Sequence, residues 1–256
     1  MLARYALTLD RERIMGSLDS WVVEFEKIGW FIPPYVTMGQ MDEIIDKNLQ
    51  YKTHLSQSEL EEILSHIYSP ANLGKLFIEK YSVTPFVKDY SKIINEGIEA
   101  HFIGLNYAAV ATLVPVIEGI ARKIALKRNV WDKHIKQTIK NLCKSCKEKV
   151  VDKKLGAYEE VESMINSFEK FATEKLYSNS KDYPHDDNTN RNGIAHAAYA
   201  DSDYGTPINF YKSIAAINSL CFLSAIDSGL SWFPPKGSEA STKKAQYYLN
   251  LKQILK

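Results

Sequence analysis

The chain is predicted to be all-α, an antiparallel helical bundle with an N-terminal helical extension. Apolar residues recur at three- and four-residue spacing through most of its 256 residues, the period of a helix with one buried face. Alternating, strand-like runs are few. Helix punctuation such as Gly29, Pro33-Pro34, Gly104, Thr206-Pro207 and Gly229 divides the periodic segments.

The first helix is expected over about residues 10–28, with Ile14, Leu18, Trp21, Val22 and Phe25 on one face. Gly29 stops it, and Pro33-Pro34 opens a loop. Short helices fit Met38–Leu49 and Ser58–His66, the second carrying a capping box between Ser58 and Glu61. A longer helix runs from Thr84-Pro85 to about Phe102. Another follows Gly104, kinked at Pro115, where a backbone donor is missing and the preceding turn is crowded. A basic helix over about 131–150 and an acidic one over about 156–178 come next. A polar segment, SNSKDYPHDDNTNRNGIAH, then interrupts the periodicity. Thr206 as N-cap and Pro207 at the first helical position start a core helix that ends near Gly229. An amphipathic helix over about 241–255 closes the chain. The natural division is a helical region over 1–88, a bundle over 89–235 and a short terminal helix over 236–256, with a soft boundary near 88 that leaves the first two parts free to pack as one body.

Composition fits an ordinary globular protein, with 45% hydrophobic and 25% charged residues and a formal charge of +1. At this length a compact fold buries roughly 75% of the surface its extended chain exposes, so a core needs no disulfides. Three cysteines are an odd, sparse set, unlike a secreted disulfide framework. Charges at Arg4, Asp10, Arg11, Glu12 and Arg13 leave no uninterrupted apolar run for a signal peptide. The longest apolar stretches, near 107–121 and 213–226, fall short of a spanning helix. A cytoplasmic protein without a membrane segment is expected.

The chemistry-bearing segment is Arg191-Asn192-Gly193-Ile194-Ala195-His196. An Arg and a His five residues apart are in themselves compatible with an exposed cation and a helix cap. Here the pair sits between two long helices, beside His185, Asp186 and Asp187. Asn192 and Gly193 are residues able to take turn conformations that aim both side chains at one spot.

The string NRNGIAH, followed by AAYADSDYGTPIN and an apolar helix, resembles the signature end of the HEPN superfamily. In that family an Arg, often with a polar neighbour, precedes a His by four to six intervening positions. Arg191, Asn192 and His196 fill those places with four between. The helix AAVATLVPVIEGIARKI resembles the family's earlier core helix, which often carries a Glu facing the Arg–His site. Glu118 is the candidate, although an ion pair with Arg122, four residues on, is an equally open role. The resemblance spans about 90–230 and leaves residues 1–88 unexplained.

The resemblance implies metal-independent RNA cleavage, with no cofactor. His196 would move the proton of a ribose 2′-hydroxyl or of the leaving 5′-oxygen. Arg191 would hold the scissile phosphate through paired hydrogen bonds, and Asn192 would orient the phosphate or the imidazole. Products would be a 2′,3′-cyclic phosphate and a 5′-hydroxyl. A homodimer with a composite cleft, and a setting in phage defence or a toxin system with an antitoxin or regulatory partner, are likewise implied. A HEPN-like module that binds RNA, nucleotide or protein without cleaving is the alternative, and a structural helical subunit a third.

Substrate grip needs cations. Between Arg122 and Lys154 there are twelve Lys/Arg against three acidic residues. Lys133, Lys136, Lys140, Lys144 and Lys147 recur at helical steps, which puts them on one face. They form an RNA track, a solvated face, or partners for the acidic helix that follows. Cys143 and Cys146 form a C-x-x-C without a second pair or a βαβ context, so both are read as packing residues, as is Cys221. His185, Asp186, Asp187 and His196 offer metal-type donors but no paired ligands on a helix, and no metal is expected. Phosphate-loop and serine-hydrolase motifs are absent from the sequence.

Overall fold

The computed structural model describes residues 18–37, 39–41, 56–196, 198–200 and 204–254. Among them every regular element is helical, so the fold class is all-α. In chain order the elements are α1 (Asp19–Lys27), α2 (Gln57–Ile67), α3 (Pro70–Leu76), α4 (Ser91–Phe102), α5 (Asn106–Lys127), α6 (Ile135–Lys153), α7 (Tyr158–Lys170), α8 (Arg191–Ala195), α9 (Pro207–Ser228) and α10 (Glu239–Gln253). π-helical turns extend α3 through Phe77–Tyr81 and α7 through Phe171–Leu176. The expected helix over Met38–Leu49 and the start of the one over 10–28 lie largely outside the described residues.

α9 is the axis of the molecule. Every residue from Ile208 to Ile226 is buried, which is the fate of a helix that is apolar all round. α2, α5, α6 and α7 pack against it. α4 and α5, joined by Ile103–Leu105, form one helical hairpin; α6 and α7, joined by Lys154–Ala157, form another. In α5 the helix continues through Pro115. Pro115 and Ala111, whose carbonyl loses its donor, both lie on the exposed face, where water can satisfy the freed oxygen.

The hydrophobic core runs without a break across the expected boundary near residue 88. Phe31, fully buried, stacks on Phe171 at 4.3 Å and lies 6.0 Å from Phe168. The neighbouring Ile32 amide donates to Ser167 Oγ at 3.0 Å. At the other end of the chain, α10 returns to pack on α3 and α4, where the Tyr248 hydroxyl donates to Asn95 Oδ1 at 2.8 Å.

Three local expectations need correction. The capping box belongs to Ser56 and Glu59, two residues before Ser58 and Glu61. Ser58 is already inside the helix, and Ser56 has the extended backbone that a cap requires. The helix expected from Thr84-Pro85 begins only at Ser91, after a turn and the short 3₁₀ segment Lys88–Tyr90. Thr206 and Pro207 hold the cap and first helical positions of α9, but the Thr206 side chain makes no capping hydrogen bond.

Candidate functional site

Arg191 opens α8, a single turn of helix within the polar segment rather than an open loop. Its cap is Asn190, fully buried, whose Oδ1 accepts from the Gly193 amide at 3.0 Å. The Asn190 amide nitrogen donates to Lys175 O at 2.9 Å, Ser178 O at 3.2 Å and Ser178 Oγ at 2.9 Å. Asn192 Nδ2 also donates to Ser178 O, at 2.8 Å. Two asparagines therefore fasten α8 to the end of the α7 extension. Asn192 and Gly193, expected to take turn conformations, are helical, and the left-handed residue of the segment is Asn188, at φ 55°. Gly193 is needed for space: a Cβ there would sit 2.0 Å from the Tyr199 ring.

This anchoring brings the expected side chains together. Arg191 Nη1 lies 3.1 Å from His196 Nε2 and 3.3 Å from Asn192 Oδ1. An arginine N–H can only donate, so Nε2 accepts and the ring proton sits on Nδ1. Arg191 Nη2 lies 3.2 Å from Glu118 Oε2. Glu118 Oε1 accepts from Arg122 Nε at 3.0 Å. Both roles considered for Glu118 are thus filled at once. Arg122 continues outward, its Nη1 and Nη2 each 3.4 Å from the carbonyls of Asp132 and Lys133. Two guanidiniums share one carboxylate, leaving a net positive charge beside an exposed His196. The buried Tyr177 hydroxyl, without a hydrogen-bond partner among the described residues, lies close enough to feel these charges. Burial and the Glu118 carboxylate push its pKa up.

No family model, curated protein or solved structure matches the chain.

A buried ion pair supports the segment from below. Lys212 of α9 contacts Asp187, and both side chains are fully buried. Burial raises the Asp187 pKa, but the Lys212 ammonium outweighs it, and with a hydrogen bond from Tyr183 the carboxyl is held below its usual range. Asn209, one turn earlier on α9, pairs with Thr189 and donates to the carbonyls of Asp187 and of Tyr204. Asp187 is thus committed to Lys212 rather than free as a ligand. The His185 ring packs against Gly29, and burial lowers its pKa. Among the described residues no group of three His, Cys, Asp or Glu has metal-holding geometry.

The lysine stripe divides. Lys133, Lys136, Lys140 and Lys144 are exposed. Lys147 instead reaches α7, donating to Asn166 Oδ1 at 2.6 Å and Glu169 Oε2 at 3.1 Å. It ties two helices together, one of the three roles open to the stripe. Cys143, Cys146 and Cys221 are free and buried, and burial pushes Cys146 and Cys221 up to about 12. No described helix is long and apolar enough to cross a membrane. A cleft of about 380 Å³ between α2, the α4–α5 turn and the start of α9 shares no residue with the Arg191 cluster.

Sequence reasoning missed Asn190 as the cap, Lys212 as the buried partner of Asp187, and the outward link through Arg122. Two signals were available: an Asn directly before the motif, and a lone Lys in the apolar run from Ile208 to Ile226.

Proposed function

We propose that the chain is a HEPN-type endoribonuclease that cuts single-stranded RNA without a metal. The observation that carries this reading is the 3.1 Å contact between Arg191 and His196, held by Glu118 in a partly exposed cluster of net positive charge. When RNA binds, a non-bridging phosphate oxygen takes the Arg191 N–H now spent on His196. Nε2 is then released to accept the 2′-hydroxyl proton. The 2′-oxygen attacks phosphorus, the bond to the 5′-oxygen breaks, and an imidazolium returns a proton to that oxygen. Arg191 stabilises the charge that builds on the phosphoryl group, where a preorganised donor contributes most.

One histidine cannot be base and acid in the same step. A second copy supplying its own His196 across a two-fold axis removes that difficulty, so a homodimer belongs to the proposal. A setting in phage defence or a toxin system, with an antitoxin or regulatory partner, belongs to it on the resemblance alone.

A non-catalytic RNA- or nucleotide-binding module is the second reading. The observation in its favour is that Glu118 already occupies one edge of the Arg191 guanidinium. Labelled single-stranded RNA incubated with pure protein in EDTA separates the two. Cleavage to 2′,3′-cyclic phosphate ends, lost in His196→Ala, supports the nuclease. Binding without cleavage of any RNA supports the module.

A further inference from the structure

We infer that Trp131 is a stacking platform for a nucleobase of single-stranded RNA next to the Arg191–His196 cluster, an inference that rests on RNA being the ligand.

Four tryptophans occur in the chain. Trp21 and Trp30 are buried, and Trp232 packs on Phe222. Trp131 alone leaves about half its surface, 48%, in water. Its backbone is fixed on both sides. The Val130 amide donates to Ala125 O at 2.9 Å, and Val130 O accepts from Asn141 Nδ2 at 3.2 Å. The Asp132 amide and carbonyl both bond the fully buried Thr138 hydroxyl, at 3.1 and 2.7 Å. A large apolar ring on so fixed a backbone is costly to leave in water, yet needs little further ordering to receive a flat ligand.

Its surroundings select that ligand. Exposed Lys127 and Lys133 flank it in sequence, and Lys136 follows on the first turn of α6. Arg122 touches the carbonyls of Asp132 and Lys133 and, through Glu118, joins Arg191. The acid of this segment, Asp132, turns Oδ1 onto the His134 amide at 2.8 Å. An exposed aromatic ring in a segment flanked by exposed lysines fits a polyanion with π-faces, and stacking is the sequence-tolerant way to hold a single strand. From Lys136 to Lys144 the exposed lysines extend for about 12 Å of helix, a cationic track that starts five residues after Trp131, while Arg122 links the Trp131 segment to the cluster.

The test titrates full-length protein with a 2′-O-methyl oligouridine, which cannot be cleaved, reading tryptophan emission and anisotropy. Wild-type emission should be quenched on binding. Trp131→Phe should lose most of the quench and keep its affinity within about threefold. Trp131→Ala should bind roughly 5- to 100-fold more weakly with an unchanged melting temperature. Unaltered affinity in Trp131→Ala, or a full quench in Trp131→Phe, overturns the inference. So does a change in sedimentation alone, which makes the face a contact between copies. Cleavage is scored separately on unmodified RNA: quench without cleavage leaves the platform standing and removes the nuclease reading, and cleavage without quench does the reverse.

Discussion

At Arg191 the charge is fixed but the hydrogen bonds are not, and substitutions there separate the two. On the nuclease reading, His196→Ala should lower cleavage by roughly 10²–10⁴-fold, the usual contribution of a general acid–base. Arg191→Lys should fail nearly as badly, because an ammonium keeps the charge and loses the planar fork that reaches Glu118 and His196 together. Single-turnover cleavage with melts on each variant measures both, and equal cutting by His196→Ala would move the active site elsewhere. The lysines predict a contrast. Lys140→Glu with Lys144→Glu should weaken RNA binding and flatten its salt dependence. Lys147→Ala should leave that salt slope alone and lower stability, since its ammonium bonds Asn166 and Glu169; salt-dependent anisotropy beside a thermal melt distinguishes them. Arg191, Asn192, His196 and Glu118 were legible through the HEPN-like strings that carry them, not through spacing alone. Asp187 and Lys212, 25 residues apart, were not, since nothing in spacing tells a buried cation from a solvated one.

One turn of helix, α8, has no stability of its own at five residues, so its environment must hold it. Asn190→Ala removes the cap and three donor contacts, although the Ser178 carbonyl keeps Asn192 and the Lys175 carbonyl keeps Ser178. A loss of about 1–2 kcal/mol is expected from the cap alone, together with slower cleavage; Asn190→Asp should do no better, because it keeps the capping acceptor but sets a buried carboxylate oxygen against the Lys175 and Ser178 carbonyls. Denaturant titration measures both. Gly193→Ala should be severe for a different reason, because the Tyr199 ring occupies the space of the new methyl. The helices around this turn were readable where periodicity runs long, as in α5 and α9. They were not readable at α3, a short segment with Gly74 in its middle. A Cβ at Gly74 would meet the Ala245 backbone nitrogen at 2.8 Å, so that helix rests on close contact with α10, 171 residues away in sequence. Local propensity carries no trace of such a contact.

For the molecule as a whole, acid should act through buried groups. Burial brings His101 down to about 4 from an ordinary value of 6.5, with its hydrogen bond to Asn106 and the charge of Lys252 as smaller influences. Between those values the unfolded chain binds a proton that the folded one refuses, so stability should fall by about 2–3 kcal/mol as pH drops from 6.5 to 4. His185, also lowered, adds to the same trend. Asp187 acts at still lower pH: its depressed carboxyl stabilises fully above the ordinary carboxylate range, and that contribution is lost as pH falls through its folded value. Urea melts at pH 7, 5.5 and 4 check the slope, and His101→Phe should flatten it in the upper window. Sedimentation at tens of micromolar protein tests the proposed dimer, and a monomer there would leave one histidine to do both proton transfers. The sequence left the continuity of the core across residue 88 open, because Phe31 and Phe171 carry no mark of their pairing.

The ion pair between Asp187 and Lys212 has a kinetic corollary. Surface loops ordinarily exchange their amide hydrogens through small local openings. Here the segment from Asp187 to Gly193 is bolted to the middle of the structure. Lys212 and Asn209 belong to a helix buried from Ile208 to Ile226, and the Gly193 amide is bonded to a fully buried asparagine. Exposing the Thr189 amide requires Asp187 to leave α9, and exposing that of Gly193 requires Asn190 to leave Lys175 and Ser178. The Thr189 amide should therefore exchange with deuterium as slowly as the centre of α9 and the Gly193 amide slowly too, while the His196 amide, bonded to the Asn192 carbonyl at the exposed rim, exchanges faster. A site with chemistry at its rim would thus keep its geometry until the protein itself unfolds.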